Sequence, residues 1–294
     1  MTEADFFRLP KDYTGIIVYS GHDQVTAAVI EHFPGLKIIA RHGIGYDAID
    51  VTAASKRKII VTNTQEGAHE ERAVSDLAIG LLLALVRNIF DLSVATKAGK
   101  WLRPVSGDLY GKVLGIVGLG RIGRLTALKA QAFGLKVIAT DPHADKAFAA
   151  AHDIECMELT DLLRQADFVS LHCPLTPQTK QMIGRKELAI MKPGAVLINC
   201  ARGALVDEEA LYEALYSGRL SGAGLDVFVQ EPPGNNPLLT LPNVIATPHV
   251  GAYTAATINA MDLMVVQACV DVLTGKAPAN IINRYELAAN GLAI

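Results

Sequence analysis

We predict an α/β protein of two domains, because strand-like runs alternate with helix-like segments along almost all of the 294 residues. The strand-like runs are nearly continuous in Val, Ile and Leu, which is typical of parallel strands covered on both faces by helices. Turn residues such as glycine and proline separate many of the runs. A chain of this length can bury two substantial cores.

The N-terminal third contains three predicted strands, at 15–20, 36–40 and 58–63, and a helix-like stretch at 24–32. A long helix is predicted to follow, over about 73–98. Its middle, LAIGLLLALV, is apolar on every face, so we expect one side to pack in its own domain and another against a second copy. The segment therefore predicts a homodimer.

From Gly111 the strand and helix signals alternate regularly up to a last helix, predicted over 254–274. This pattern predicts one larger, doubly wound parallel sheet. We expect the larger domain to cover 73–262, and a smaller domain to combine 1–72 with 263–294. The predicted strands of the larger domain are 112–118, 136–141, 168–173, 195–201, 221–228 and 243–249.

Composition excludes several function classes. The net charge is only −3 and no basic run occurs, which argues against a nucleic-acid or membrane-surface partner. The four cysteines lack metal-ligand or CxxC spacing, so we expect reduced thiols and no metal site. The first residues do not resemble a signal peptide, and the longest apolar run, 77–86, is too short to span a bilayer. A cytoplasmic protein is expected.

A glycine motif lies in VLGIVGLGRIG, where Gly118, Gly120 and Gly123 have GxGxxG spacing. The pattern is weak alone, but here it follows a predicted strand and opens a predicted helix, as a Rossmann dinucleotide site requires. The first glycine permits the turn, the second admits a pyrophosphate and the third allows close packing of helix on strand. Amides of Arg121, Ile122 and Gly123 would face the phosphates.

The next predicted strand ends in Asp141. A carboxylate at this place accepts hydrogen bonds from the ribose hydroxyls and repels a 2′-phosphate, which favours NAD over NADP. The alternative is a solvated loop acid before Pro142.

Four polar side chains lie at the carboxyl ends of three of the predicted strands or directly after them: Arg202, then Asp226 and Glu231, then His249. Ligands bind at the carboxyl ends of the strands in such a sheet. Each residue alone has a structural explanation, as a cap, a loop acid or a satisfied strand-end histidine. Together they form a chemical set, in which arginine orients a carboxylate or ketone, histidine transfers a proton and glutamate holds the histidine.

With these motifs in place, the chain resembles the D-isomer-specific 2-hydroxyacid dehydrogenase family over about residues 15–283. The resemblance implies two Rossmann-like domains, the smaller one discontinuous and flavodoxin-like. The stretches that carry it are RHGIGYDAID (41–50), GLGRIG (118–123), LHCPLTPQT (171–179), MKPGAVLINCARGALVDEEAL (191–211), GAGLDVFVQEP (222–232) and PHVGAYT (248–254).

The resemblance also implies a mechanism. NADH would deliver hydride to the ketone carbon of a 2-oxo acid while His249 protonates the oxygen. Glu231 would hold the other ring nitrogen and stabilise the protonated ring. Arg202 would bind the keto oxygen and the substrate carboxylate. Backbone amides of Ile44 and Gly45 would hold the other carboxylate oxygen.

Further roles follow from the same resemblance. The glycines of this loop, Gly43 and Gly45, would allow close approach to the substrate. Arg41 would help to bind a second anionic group, as in phosphoglycerate-dehydrogenase-like members; alternatively Arg41 is structural. Asp226 and the carbonyl of Cys200 would contact the nicotinamide amide, and Gly251 would leave room beside His249. The remaining residues expected at the cofactor are His172, Cys173, Pro174, Thr179 and Ala201.

The chain departs from the family in two places. Members usually have a strand and a helix ahead of the part matching residue 15, so either the smaller sheet has fewer strands or the start is missing. The loop after the third strand, 64–72, is about two residues longer and has Gln65 in place of a proline. Its His69, Glu70 and Arg72 could alter specificity or form a solvated charged cap on the long helix.

We therefore predict an NAD-dependent oxidoreductase for a small 2-oxo/2-hydroxy acid pair, with 3-phosphoglycerate slightly ahead of glyoxylate or hydroxypyruvate. Two alternatives stay open at this stage. One is an NAD(H)-sensing, corepressor-like binding protein, and the other is an NAD-dependent enzyme that oxidises formate or phosphite.

Overall fold

The computed structural model describes residues 1–21, 23–64 and 69–292. The chain forms two compact units: one combines Met1–Glu70 with Ala252–Ile294, and the other is Glu71–Gly251. The second boundary differs from the expected position at residue 262. A division there would cut through one continuous helix, Ala255–Leu273, which packs on the sheet of the first unit.

The smaller unit contains a three-stranded parallel sheet in the order β1-β2-β3. Helices cover it, and apolar side chains such as Val29, Phe33 and Ile39 fill a core in which they are fully buried. The strands are β1 (Gly15–Val18), β2 (Ile38–Arg41) and β3 (Ile60–Thr62); the helices are α1 (Glu3–Phe6), α2 (Ala27–His32), α3 (Val51–Lys56), α11 (Ala255–Leu273) and α12 (Arg284–Ala289).

Helix α11 is long and apolar enough to cross a membrane by length and composition alone. It is a helix of the sheet layer, because its Val265 and Ala268 pack against Ile38 and Ala40 of β2.

The larger unit contains a seven-stranded sheet in the order β10-β9-β8-β7-β4-β5-β6, and every pairing is parallel. Its strands are β4 (Val113–Val117), β5 (Lys136–Thr140), β6 (Glu155–Cys156), β7 (Phe168–Leu171), β8 (Ala195–Asn199), β9 (Leu220–Leu225) and β10 (Val244–Ala246). Its helices are α4 (Glu70–Val86), α5 (Ile89–Lys97), α6 (Arg121–Ala132), α7 (Lys146–Ala151), α8 (Leu159–Gln165), α9 (Arg185–Ile190) and α10 (Glu208–Tyr216).

The strand order determines where a ligand-binding crevice is expected in this unit. The chain proceeds outward from β4 in one direction through β5 and β6, and in the other through β7 to β10. The order thus reverses between β4 and β7, and a crevice for ligands is expected at that point. Because all strands are parallel, the residues that follow β8, β9 and β10 meet at the same edge.

The predicted long helix over 73–98 is wrong in one respect, since the structure has two helices, α4 and α5, with a 63° bend between them. Asn88, which lies at the bend, has a left-handed backbone (φ 53°), and this conformation ends the helical path. Leu81 and Leu85 of α4 approach β9 where Gly222 and Gly224 leave space.

Most of the segment 77–86 is consequently buried or half-buried. The segment therefore packs largely within its own unit, and its contact with a second copy of the chain stays a prediction. Seven exposed apolar side chains lie further along, on α5 and in the stretch after it. They are Ile89, Phe90, Val94, Trp101, Leu102, Val105 and Tyr110.

Candidate active site

A histidine and a carboxylate meet where β9 and β10 end. A hydrogen bond of 2.7 Å joins Nδ1 of His249 to Oε2 of Glu231. The Glu231 side chain is 14% exposed, and its other oxygen accepts a hydrogen bond from the Phe228 amide at 2.9 Å. Since Nδ1 contacts the carboxylate, Nε2 is the ring nitrogen that can exchange a proton with another molecule.

The loop that carries His249 is bonded to Asp226, which is 1% exposed. The Asp226 carboxylate accepts hydrogen bonds from Thr247 Oγ1 (2.6 Å), the Val250 amide (2.8 Å) and the Gly251 amide (2.8 Å). Burial is the main influence on the pKa of Asp226 and raises it, while these hydrogen bonds oppose the rise. Asp226 was expected to contact the nicotinamide amide. In this structure its carboxylate oxygens contact the loop that carries His249.

Gly251 lies close to the Asp226 side chain. A Cβ at this position would lie 3.0 Å from Oδ2 of Asp226 and 3.3 Å from a methyl group of Val74. These contacts would be tighter than usual, so the small residue helps its amide to reach the buried carboxylate.

Arg202 follows β8 and lies in an extended conformation (φ −145°, ψ 137°). Its Nη1 donates to the Ala201 carbonyl at 2.7 Å, and its own carbonyl accepts from Nδ2 of Asn199 at 2.9 Å. A Cβ on Gly203 would fall 2.0 Å from the Phe228 carbonyl carbon. Only glycine therefore lets the Arg202 loop lie directly against the segment that leads to Glu231.

Asn199 and Gly203 were not among the residues predicted at this site. Asn199 is 1% exposed at the end of a strand, and its Oδ1 also accepts the Ala201 amide at 3.0 Å. A polar amide closing an otherwise apolar strand, in LINCARG, was the signal that could have identified it.

The glycine motif has the geometry of a dinucleotide cradle. Gly118 has φ 95°, and a Cβ there would lie 2.7 Å from the Cys173 amide nitrogen. A Cβ on Gly123 would fall 2.0 Å from the Gly118 carbonyl oxygen, so this glycine sets how closely α6 approaches the turn. Around Gly120 no described residue lies within 4 Å of the Cβ position, which leaves room for a ligand.

Helix α6 begins at Arg121 directly after this open position, so the amides of its first turn, including that of Ile122, face the same space. Open space, helix amides and a left-handed glycine are what a pyrophosphate requires. The residues present therefore fit a dinucleotide.

Asp141, at the end of β5, is fixed by the backbone. Oδ2 accepts the Leu119 amide at 2.8 Å, and Oδ1 accepts the His143 amide at 2.7 Å. Asp141 is thus more than a solvated loop acid, because it ties the glycine turn to the neighbouring strand. A carboxylate has about four acceptor positions, so two remain for ribose hydroxyls.

The loop after β7 forms the other side of the crevice. Nε2 of His172 is 2.8 Å from Ser170 Oγ, and burial lowers the pKa of His172 to about 4, so its ring is neutral at physiological pH. Burial raises the pKa of Cys173 to about 11, which keeps this thiol protonated. Thr179 Oγ1 donates to the Pro174 carbonyl at 2.7 Å and stabilises the turn.

Cys200 is buried beside Ala201, and burial raises the pKa of its thiol. None of the cofactor-side cysteines thus has the lowered pKa of a nucleophile. Within residues 1–21, 23–64 and 69–292, no group of three or more His, Cys, Asp or Glu side chains could hold a metal ion.

The predicted substrate loop lies in the smaller unit, and its arginine is buried. Arg41 is 7% exposed. Its Nε donates to the Gly45 carbonyl at 2.7 Å, while Nη1 donates to the carbonyls of Val18 (3.0 Å), Tyr19 (2.8 Å) and His42. These Nε and Nη1 contacts support the loop, as the structural alternative for Arg41 requires. Contact of Arg41 with a second anionic group of the substrate stays a prediction.

The loop is held from its carbonyl side. Asn63 Nδ2 donates to the Ile44 carbonyl at 3.0 Å, and the Gly43 amide donates to Thr64 Oγ1 at 3.0 Å. The Gly43 amide is thereby occupied, contrary to a direct role with substrate. The amides of Ile44 and Gly45 have no partner among the described residues, so they can bind a carboxylate.

Thr64 in turn donates to the Glu70 carboxylate, which is 4% exposed. Glu70 is therefore not part of a solvated charged cap. Gln65, which replaces the family proline, lies outside the described residues.

Comparison with known proteins identifies the larger unit. Residues 79–251 match the model of the D-isomer specific 2-hydroxyacid dehydrogenase family, NAD binding domain. The D-3-phosphoglycerate dehydrogenase of Methanocaldococcus jannaschii is 44% identical over 286 residues, and the match covers 96% of this chain and 54% of the relative. The chain thus spans about half the length of that relative.

Two further relatives are of more similar length. The glyoxylate reductase of Thermococcus litoralis is 41% identical over 281 residues, covering 91% of this chain and 83% of the relative. The crystal structure of D-lactate dehydrogenase from Aquifex aeolicus, complexed with NAD and lactic acid, is 30% identical with a TM-score of 0.84, covering 96% and 89% of the two chains. The chain therefore belongs to the D-isomer specific 2-hydroxyacid dehydrogenase family, with NAD as its cofactor.

Proposed function

We propose that this protein reduces a small 2-oxo acid to its D-2-hydroxy acid, and catalyses the reverse reaction, with NAD(H). The observation that carries the proposal is the 2.7 Å hydrogen bond between His249 and Glu231, at the sheet edge that also holds the glycine cradle. A histidine oriented by a carboxylate is a general acid–base catalyst, and the nicotinamide of the bound cofactor supplies or accepts the hydride.

Each polar residue has a proposed role. His249 donates its Nε2 proton to the carbonyl oxygen during reduction and takes the proton from the hydroxyl during oxidation. Glu231 fixes the ring through Nδ1 and stabilises its positive charge. Arg202 binds the carboxylate and the reacting oxygen, where charge develops.

The substrate is proposed to carry a single negative charge. The sequence favoured 3-phosphoglycerate slightly, and that preference relied on Arg41 as the ligand of a second anion. The Nε and Nη1 atoms of this buried arginine donate to backbone carbonyls. These contacts favour a structural role for Arg41, so they do not support the preference for 3-phosphoglycerate. Glyoxylate or hydroxypyruvate is therefore the substrate that we propose.

We propose further that the protein is a cytoplasmic homodimer. The four cysteines are free, which suits a reducing compartment. On and beyond α5, Val94 is 68% exposed, Trp101 is 81% exposed and Val105 is fully exposed. Large apolar side chains exposed together mark a surface that another protein covers, and a second copy is the partner that every solution of this protein contains.

The catalytic role of His249 predicts the behaviour of His249→Ala. General acid–base catalysis contributes roughly 10²–10⁴-fold, so kcat for 2-oxo acid reduction should fall by that factor. The affinity for NADH, measured by fluorescence titration, should stay unchanged. His152→Ala, which changes a histidine beside Phe148 on another face, is the matched control. Near-normal turnover by the purified His249→Ala variant would exclude the role.

The position of Asp141 predicts a preference for NADH. A 2′-phosphate near this carboxylate places like charges together, which costs several kcal/mol, so kcat/KM should be at least about tenfold higher with NADH than with NADPH. Asp141→Ser removes the charge and keeps a hydroxyl for the Leu119 amide. The ratio of kcat/KM with NADH to kcat/KM with NADPH should therefore decrease. Comparable kcat/KM for both cofactors in the unaltered protein contradicts the assignment.

The buried contacts of Arg41 predict that Arg41→Ala loses the same fraction of its activity on every substrate. The measurement is NADH consumption with 3-phosphohydroxypyruvate, hydroxypyruvate, glyoxylate, pyruvate and 2-oxoglutarate, for the unaltered protein and Arg41→Ala. Loop carbonyls left without donors cost about 1–3 kcal/mol each, so activity should fall alike on every substrate. Arg8→Ala, on an exposed side chain, is the control. A loss confined to the dianionic substrates restores the role of Arg41 in anion binding.

The same panel separates the two alternatives. NADH binding without turnover of any 2-oxo acid favours the NAD(H)-sensing protein, and oxidation of formate or phosphite alone favours the third function.

The exposed apolar side chains on and beyond α5 predict a dimer that charged substitutions at this surface should dissociate. Light scattering should give the mass of two chains for the unaltered protein at micromolar concentration. The double variant Val94→Glu/Trp101→Lys should give the mass of one chain, because burying unpaired charges in an interface is costly. Tyr216→Glu changes an exposed aromatic residue on α10 and should leave the mass unaltered. An unaltered protein of single-chain mass rules the dimer out.

A further inference from the structure

The backbone of His249 adopts a conformation that L-residues disfavour, with φ at 55°. Such a conformation persists only where surrounding contacts determine it. Here the His249 amide donates to two carbonyls, that of Asp226 at 2.8 Å and that of Thr247 at 3.0 Å. The position of the ring therefore depends on how firmly this loop is held.

The holding group is the Asp226 carboxylate. It accepts three hydrogen bonds, and all three donors belong to the loop after β10: the Thr247 hydroxyl at 2.6 Å, and the amides of Val250 and Gly251 at 2.8 Å each. These donors lie on both sides of His249 in the chain. The loop thus closes around one buried carboxylate, with His249 at its centre.

The same end of β9 holds the partner of the histidine. The Phe228 amide, two residues after Asp226, donates to Oε1 of Glu231 at 2.9 Å, while Oε2 contacts His249. Both members of the histidine–glutamate pair are therefore attached to one short segment. A movement of the loop relative to this segment would lengthen the 2.7 Å hydrogen bond between them.

We propose that Asp226 and Thr247 are positioning residues that hold His249 in its working orientation. The proposal rests on the proposed function, in which His249 transfers the proton. Among the three donors to the Asp226 carboxylate, Thr247 is the one that uses a side chain, so it can be removed without altering the backbone. Its loss leaves the buried anion with two donors and frees one side of the loop.

The test compares Thr247→Val, which keeps the shape and removes the hydroxyl, with Thr247→Ser, which keeps the hydroxyl. Hydrogen bonds to charged groups are strong enough for kcat to fall about tenfold or more in the valine variant. The affinity for NADH should stay within about twofold, and serine should restore kcat. Thr240→Val is the matched control, because the Thr240 hydroxyl donates to the Pro237 carbonyl on an exposed 3-10 turn.

A second measurement does not depend on turnover. The Nδ1 and Nε2 resonances of His249, assigned through His249→Ala, should move in Thr247→Val and return in Thr247→Ser. If the valine variant does not fold, Thr247→Ala removes the same hydroxyl with less bulk. Unchanged kcat and unchanged resonances, even with a lowered Tm, overturn the proposal, as does an equal loss in the serine and valine variants.

The two measurements also separate this proposal from the proposed function. Unaltered protein that reduces no 2-oxo acid, with resonances that move in Thr247→Val and return in Thr247→Ser, removes the function and keeps the positioning role. Normal turnover in the unaltered and valine variants alike, with unmoved resonances, removes the positioning role alone.

Discussion

The site depends on one constraint: all strands of the larger sheet are parallel, so each of them delivers its last residue to the same edge. Neighbouring strands β8, β9 and β10 bring Arg202, Glu231 and His249 to that edge from distant parts of the sequence. The reversal of strand order between β4 and β7 places the glycine cradle there as well. The polar set and the glycine cradle therefore share one edge because of the topology.

Close contact between the loops after β8, β9 and β10 then fixes the positions of the polar side chains. A Cβ on Gly203 would collide with the Phe228 backbone, and a Cβ on Gly251 would make a tight contact with the Asp226 carboxylate. Without a Cβ, backbone amides reach groups that side chains would block. The loops after the three strands are consequently tied to one another, and Glu231 and His249 have a defined separation.

Burial determines the chemistry available at the edge. It makes the His172 ring neutral and keeps the Cys173 and Cys200 thiols protonated, so these groups shape the crevice without acting as bases or nucleophiles. The Asp226 carboxylate is equally buried, yet three donors compensate it. His249 differs from these groups because it is half-buried and has a carboxylate partner, which is the arrangement that proton transfer requires.

Sequence alone determined the α/β class, most of the longer strands and helices, the glycine motif, and the polar residues that follow β8 to β10. Periodicity and turn residues are local, so they are visible without a structure. The short helices α1, α3, α8, α9 and α12 and the two-residue strand β6 were missed, because segments of two to seven residues show too little periodicity. The bend at Asn88 and the boundary near residue 252 depend on packing that the sequence does not display.

Only the tertiary structure decided what the individual polar groups contact. Arg41 matched a family pattern for anion binding, yet its donors contact carbonyls of Val18, Tyr19 and Gly45, which the sequence keeps apart. The partners of Asn199, Asp226 and Thr247 were likewise visible only in the structure, because β8, β9 and β10 bring their loops together. A residue type states which bonds a side chain can make, whereas long-range folding decides which donors and acceptors lie within reach.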